Sequence, residues 1–512
     1  MDTLETLVTY PDLENKSVRT GEIFAVYNPA TGAKLAELPV MASEQVEKVV
    51  MRAKVAQQEW AALSFKERRV IMYRWRSKLM AHKSRIVETL VAENGKPRQE
   101  ALIELLYLAD VIGYYCANAP RFLKDQAVPL HLLKTKRARV MYHPVGVVGV
   151  ISPWNFPLLL GFGDGLAALA AGNAVVLKPS EITPLSALLL AELAEGVGFP
   201  PGLIQVITGL GETGTSLVDY ADMIAFTGGS NTGKKVMERA SRRLIPVLLE
   251  LGGKDPMIVL KDADLERAVS GAVAGAFYNN GQVCIAVERL FVEAPVYDRF
   301  VEKLVEQVKK LRMGSDPDGA YNVDLGPMTH LGQLELVERH VDDARAKGAE
   351  ILTGGKRREG LYYEPTVLTG VTPDMLVMQE ETFGPLLPVF KVKDAEEALK
   401  MANASRFGLS SSIWTRDQSK GEALARKLQA GSTCVNDVII NYIMPEVPFG
   451  GIKESGLGYR HGGADSLKKF CRPQTVVTDR FGLKREPIWL PYGKPVAGLL
   501  RLMLDILYRR RY

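Results

Sequence analysis

Cys284, in the stretch NNGQVCIAVER, has the setting of a nucleophile. Gly281 precedes it in a loop leading to the Ile285–Arg289 segment, where backbone amides can face a substrate. A lone cysteine is most often a small buried hydrophobe, and a free thiol of pKa ~8.5 is scarcely ionised at neutral pH. Covalent chemistry therefore requires a group that activates it. Glu250, in LLELGGKDP, closes an apolar run where a carboxylate is costly to bury without a purpose. It can deprotonate a thiol or activate a water; a solvated strand-end carboxylate is the plainer alternative. Asn155, in SPWNFPLLL, lies between aromatic residues just after a strand. Its amide can donate to a developing oxyanion, helped by the nucleophile's own backbone N–H, or it can simply cap a turn.

Two further segments suit a phosphate-bearing cofactor. In AVVLKPSEITP, Lys178 and Glu181 end a buried strand that Pro179 prevents from continuing. In IAFTGGSNTGKKV a strand runs into Gly228 and Gly229 and then a helix containing Gly233. Glycines let the backbone approach a pyrophosphate, and a helix N-terminus offers free amides and a favourable dipole. The spacing is not GxGxxG, so the general dinucleotide fingerprint is absent. QEETFGP, with Glu381 and Phe383, and PFGGIKESGLG, Phe449 to Gly458, are dense in glycine and aromatic residues, as ordinary loops also are.

The elements that must hold these residues are legible. Residues 44 to 93 read as two helices, from Val46, Val49 and Val50 and then Ile71, Trp75 and Leu79 at helical spacing. From residue 140, short apolar strands (VMYHPVGVVGVISP, GNAVVLKPS, GLIQVITG) alternate with helical segments. A second set follows Gly252: KDPMIVL, a helix around 264 to 278, RLFVE, a helix around 297 to 312, and PTVLTG. Two such sets predict two α/β domains with parallel sheets and a cleft at the carboxyl ends of their strands.

The 512 residues exceed one core, and 47% apolar with 24% charged is an ordinary globular balance. Four scattered cysteines, Cys116, Cys284, Cys434 and Cys471, have no CxxC spacing. That argues against a disulfide framework or a zinc site and for a reducing compartment, so a cytoplasmic location and no metal are expected. The opening MDTLETLVTY is acidic and has no signal-peptide pattern. Residues 479 to 512 carry eight Lys/Arg and three Asp/Glu, which equals the net charge of +5 of the whole chain. The remainder is neutral overall, so no nucleic-acid partner is expected.

In order, the chain carries PWNFP, VLKPSE, FTGG with Gly233, ELGGK, GQVC, EETFGP and PFGGIKESG. That ordered set closely resembles the aldehyde dehydrogenase superfamily over roughly residues 20 to 478, including the 34 positions from Glu250 to Cys284. The resemblance implies NAD(P)-dependent oxidation of an aldehyde to a carboxylic acid. Cys284 would form a thiohemiacetal and then a thioester, Asn155 and the Cys284 N–H would hold the oxyanion, and Glu250 would activate the hydrolytic water. Glu381 and Phe383 would position the nicotinamide ribose and ring. Lys178 and Glu181 would contact the adenosine ribose, and Gly228, Gly229 and Gly233 would underlie the pyrophosphate. NAD is expected to be preferred, with NADP as the alternative.

The implied architecture is an aldehyde dehydrogenase-like α/β fold. Residues 1–125 and 145–251 form a dinucleotide-binding domain and 252–466 a catalytic domain. Residues 126–144 and 467–480 form a small β oligomerisation element, implying a homodimer or homotetramer. A basic amphipathic tail covers 481–512. Within it, residues 496 to 508 place Leu499, Leu500, Leu502, Met503, Ile506 and Leu507 on one broad helical face, with Arg509, Arg510 and Arg511 following. A helix so short does not span a bilayer, but it can lie in an anionic membrane surface or pack on its own or a neighbouring subunit.

The central region, 145 to 290, also resembles succinate-semialdehyde dehydrogenases. Those enzymes place an arginine eight positions after the oxyanion asparagine, where this chain has Gly163. A bidentate arginine is the natural carboxylate clamp. The expected substrate mouth is instead apolar: Phe156, Leu159, Phe162, Val438, Ile439, Ile440, Tyr442, Ile443 and Met444. An apolar aliphatic or aromatic aldehyde is therefore the first expectation and succinic semialdehyde the second. A coenzyme A-acylating relative is disfavoured by Glu250, and a catalytically silent protein by the intact Cys284, Glu250 and Asn155.

Overall fold

The computed structural model describes residues 21–316, 319–486 and 488–509. The MDTLETLVTY segment and Arg510 and Arg511, on which two expectations rest, lie outside the described residues. By internal contacts the chain forms two compact units, residues 1–123 with 144–472, and residues 124–143 with 473–512.

The larger unit contains two mainly parallel sheets. In the first the strand order is Gly456–Leu457, Val247–Glu250, Met223–Thr227, Val147–Ile151, Ala174–Lys178, Ile204–Val206. Only Gly456–Leu457 runs antiparallel to its neighbour. AVVLK and MIAFT are buried at every position, because helices cover both faces of such a sheet. Chain order runs outward from Val147–Ile151 through Ala174–Lys178 to Ile204–Val206, then returns to Met223–Thr227 on the other side. The reversal opens a crevice beyond the ends of Val147–Ile151 and Met223–Thr227, where Asn155 and Gly228 follow.

The second sheet runs Glu350–Thr353, Thr366–Thr369, Leu386–Val392, Val287–Glu293, Asp255–Val259, Ser412–Trp414, Cys434–Val435. Its two faces support separate apolar cores, one around Phe291, Val337 and Ile413, the other around Met257, Phe300 and Trp414. The expected helices near 264–278 and 297–312 are Leu265–Phe277 and Ala294–Val308.

Residues 44 to 93 form three helices rather than two: Ser43–Ala62, Phe65–Ala81 and Lys83–Asn94. The first break is written in the sequence, since Ser64 and Glu67 form a reciprocal capping box. The second has no Gly or Pro to announce it. At His82 the backbone leaves helical geometry and the ring Nδ1 meets the Lys78 carbonyl at 2.8 Å. Helix Pro157–Ala170 is buried along its whole length. Phe162, expected in the substrate mouth, is instead core, edge-on to Trp75 at 5.9 Å.

In the smaller unit, Lys136–Pro144 is the centre of a three-stranded sheet, flanked by Cys471–Asp479 and Gln126–Val128. Helix Lys494–Tyr508 has no buried residue.

Candidate active site

Cys284 is delivered by an unusual turn. Helix Leu265–Phe277 stops, and Asn279, Asn280 and Gly281 take φ values of 47°, 58° and 72° in succession. Left-handed residues of this kind cost free energy unless the surroundings enforce them. Here Glu100 Oε1 accepts the Asn279 N–H at 3.0 Å, Asn280 Nδ2 donates to the Gly326 carbonyl at 3.2 Å, and Thr329 N–H donates to Gln282 Oε1 at 2.9 Å. A Cβ at Gly281 would strike the Gly384 carbonyl, so glycine is required by both space and φ. Cys116, Cys434 and Cys471 are buried, whereas Cys284 is partly open. Burial pushes its thiol well above the ordinary range, with the carboxyls of Glu381, Asp255 and Glu250 adding to the rise and Arg460 opposing it. Such a thiol is inert until a base or a bound cation favours the thiolate.

Asn155 adjoins this turn. Its Nδ2 donates to the Gln282 carbonyl at 2.9 Å, while its own carbonyl accepts Asn279 Nδ2 at 3.0 Å and Lys96 Nζ at 2.7 Å. One amide N–H is thus committed to orientation, leaving the second for a ligand. Lys96 forms a fully buried ion pair with Glu104, whose other oxygen accepts the Leu158 and Leu159 N–H groups at 3.2 and 3.1 Å. Sequence reasoning missed Lys96; its signal was a cation in ENGKP, directly after a helix closed by Gly95.

Glu250 ends strand Val247–Glu250 and is 3% exposed. Neither carboxylate oxygen has a hydrogen-bond partner among the described residues. Burial raises its pKa to about 8; Arg460 pulls it down, Asp164 adds to the rise, and Lys469 opposes it. A nearly neutral-titrating carboxyl with free lone pairs is suited to proton transfer.

The motifs on either side of this base are joined. Gly253 N–H donates to Glu381 Oε1 at 2.8 Å, and a Cβ at Gly253 would collide with the Cys284 carbonyl oxygen. Glu288 accepts the Thr382 and Phe383 N–H groups at 2.7 and 2.9 Å and pairs with buried Lys254 at 2.5 Å. Arg289 donates to the Lys254, Met401 and Ala402 carbonyls. Glu288 holds the EETFG loop against the ELGGK loop and Arg289 ties the latter to Met401 and Ala402; neither was singled out in the sequence. Their signal was charge on a strand buried at all seven positions, legible only once burial is known. Phe383, at φ 52°, presents its ring edge-on to Trp154 at 5.4 Å.

Of the residues expected at a cofactor, Lys178 ends strand Ala174–Lys178 and Gly228 follows strand Met223–Thr227, both in the first sheet. Lys178 Nζ and Glu181 Oε2 lie 3.3 Å apart. Helix Ser230–Ser241 has no side-chain cap at its N-terminus, and a Cβ at Gly229 would meet nothing within 4 Å. At Gly233 a Cβ would overlap Leu251 at 2.5 Å, so this glycine lets the helix approach the sheet. Uncapped amides beside open glycine backbone fit a pyrophosphate.

Comparison with known proteins gives the family. The aldehyde dehydrogenase family model matches residues 16–476. The chain is 42% identical to the 4,4'-diapolycopene aldehyde oxidase of Methylomonas sp, over 94% of this chain and 91% of that protein. It is 40% identical to a putative NADP-dependent succinate-semialdehyde dehydrogenase of Mycolicibacterium smegmatis, over 93% of this chain and 92% of that one. Among solved structures it resembles betaine aldehyde dehydrogenase from Staphylococcus aureus in complex with NAD+, with TM-score 0.86 and 31% identity, covering 92% of this chain and 94% of that one. With its fold, motif order and near full-length similarity in accord, this chain belongs to the aldehyde dehydrogenase family and is an NAD(P)-dependent oxidoreductase that converts an aldehyde to a carboxylic acid.

Proposed function

We propose that Cys284 is the nucleophile, Glu250 the base and Asn155 an oxyanion donor, acting on an apolar aldehyde. The observation that carries this reading is the buried Glu250 carboxyl with both oxygens unpartnered, among the groups whose charges reach Cys284. In the first half-reaction Cys284 Sγ gives its proton to solvent water and bonds to the aldehyde carbon, whose C=O π pair moves onto oxygen, placing the oxyanion between the free Asn155 N–H and the Cys284 amide. When bound, the nicotinamide supplies the acceptor for the hydride that leaves this carbon. The resulting thioester is hydrolysed when Glu250 takes a proton from water; the water oxygen attacks the acyl carbon and Cys284 leaves as thiolate. Glu381 and Phe383 would hold the nicotinamide end, Lys178 and Glu181 the adenosine ribose, and Gly228, Gly229 and the N-terminus of the Gly233 helix the pyrophosphate. Glu181 disfavours a 2′-phosphate, which supports NAD over NADP.

An apolar substrate is supported by the absence of a cation at Gly163, where a Cβ would first meet the Tyr107 and Tyr442 hydroxyls at 3.8 and 3.9 Å and no arginine clamp stands. Phe156, stacked on Tyr278 at 6.1 Å, adds an aromatic wall. The buried Arg460 is already bonded to Asp164, Tyr442 and Thr227. Succinic semialdehyde is the second reading, favoured by the names of several relatives. Comparing kcat/KM for octanal, benzaldehyde and succinic semialdehyde tests the choice; a tenfold advantage for succinic semialdehyde would reverse it.

We further propose that residues 1–125 with 145–251 serve the dinucleotide and 252–466 the catalysis. The sheet edge at Cys471–Asp479, with Val476 and Val477 exposed, supports pairing between subunits in a homodimer or homotetramer. Among the described residues no helix is long and apolar enough to cross a membrane. Helix Lys494–Tyr508 nonetheless exposes Leu499, Leu502, Leu504 and Ile506, each about half or more. Lys494, Arg501 and Arg509 outnumber Asp505 along the helix, and Asp479 and Glu486 are taken up by Lys136. A cytoplasmic enzyme docking this tail on an anionic lipid surface accounts for apolarity and charge together.

A further inference from the structure

Arg460 was not among the residues the motifs singled out, yet it lies beside the base. Thr227 and Glu250 are register partners on adjacent parallel strands, so their side chains share one face of the sheet. The Arg460 guanidinium bonds Thr227 Oγ1 through Nη2, which sets it next to Glu250 on that face. Its Nε and Nη2 grip Asp164 Oδ2 at 2.9 and 2.8 Å, and Nη1 donates to the Tyr442 hydroxyl at 3.2 Å. Arg460 is 3% and Asp164 4% exposed, so the pair is screened from water and interacts strongly with a neighbouring charge. The backbone that carries Arg460 is pinned as well. His461, at φ 56°, is held by the Tyr107 and Tyr115 hydroxyls at 3.1 Å each, and strand Arg460–His461 pairs with Pro448–Phe449.

We propose that Arg460 and Asp164 are a positioning pair for Glu250: the guanidinium stabilises its carboxylate form, and Asp164 fixes the guanidinium and limits its effect. This rests on the reading of Glu250 as the base. Charged and titratable groups facing Glu250 come from every packed element: Arg460, Asp164 on helix Pro157–Ala170, Lys469 beyond helix Asp465–Lys468, Tyr442 and Cys284. Burial raises Glu250 to about 8; Arg460 is the largest influence in the other direction, and Asp164 works against it. Opposite signs from two bonded residues give the arrangement a signature that mere packing lacks.

The test is the pH profile of steady-state turnover together with the pre-steady-state NADH burst, in the full chain and in R460Q, R460K, D164N and E250Q. In R460Q the ascending limb moves up by about one pH unit, steady-state turnover at pH 7 falls about tenfold, and the burst persists. R460K restores the limb most of the way, because the charge returns without the fork. D164N moves the limb down. An unmoved limb in folded R460Q and D164N, or displacement of both in the same direction, overturns the proposal. Should R460Q fail to fold, D164N decides: a limb unmoved or raised sinks the pair. E250Q separates the two claims, since a limb that survives in E250Q removes the base assignment itself.

Discussion

The Glu381 carboxylate accepts the backbone N–H of Gly253 at 2.8 Å, three residues beyond Glu250. One hydrogen bond thereby couples the loop that leaves the base to the loop expected to hold the nicotinamide. Gly253 also lies against the Cys284 carbonyl, with no space for a Cβ. Gly253→Ala should therefore displace base, nucleophile and cofactor loop together. Turnover is expected to fall at least about tenfold with a rise in KM for NAD, since displacements of about 1 Å cost that much or more. Unchanged kinetics in a correctly folded variant would show that the coupling is irrelevant.

Cys284→Ser should lose turnover by at least about two orders of magnitude while NAD binding and melting stay near wild type. The hydroxyl is a poorer nucleophile and far harder to ionise than a thiol. NADH formation and cofactor-quenched protein fluorescence measure the two properties separately. More than a tenth of wild-type turnover in the serine variant would remove Cys284 from its role.

Glu250→Gln should abolish steady-state turnover but leave an NADH burst, retained or reduced, because acylation precedes the step that needs the base. In the wild type, steady-state turnover should rise with pH as the carboxyl ionises near about 8. Stability carries the opposite sign. The folded-state pKa lies above the ordinary 4.5, so the contribution of Glu250 is complete below about 4.5 and is lost as pH rises through about 8. Glu250→Gln should consequently melt higher than wild type at pH 9, by about 2 °C or more, and show little difference at pH 5. Normal turnover at pH 7 contradicts the assignment.

For the cofactor, kcat/KM should favour NAD over NADP, and Glu181→Ser should erode that preference about tenfold by removing a carboxylate that repels a 2′-phosphate. Lys178, 3.3 Å from Glu181, remains to meet the phosphate. A wild-type ratio in favour of NADP would reverse the expectation.

The tail is tested by flotation. The full chain should rise with phosphatidylglycerol-containing vesicles at low salt, and a chain ended at Gly493 should not. Binding should weaken steeply as salt screens the cationic residues. If both proteins stay in the dense fraction, helix Lys494–Tyr508 serves subunit contact and the membrane reading falls.

The family, the order of the site motifs and the two α/β sets were determined by the sequence alone, because each rests on local chemistry. PWNFP follows a strand, ELGG closes one, and GQVC lies beyond a glycine turn. The Ser64–Glu67 box is equally local, a Ser and a Glu three positions apart, although the helical spacing of Ile71, Trp75 and Leu79, not the box, is what predicts the helix. The break at His82 and the core position of Phe162 were not announced, since neither carries a breaker nor departs from its local pattern. Only the tertiary structure decided which charges are buried together. Lys96, Lys254, Glu288 and Arg460 look like solvated residues in a string of letters. Their partners, Glu104, Asp164 and the backbone of Thr382 and Phe383, are brought close by packing between distant elements. A charge acquires a large effect on a neighbour only when water is excluded from both, and that exclusion is a property of the fold.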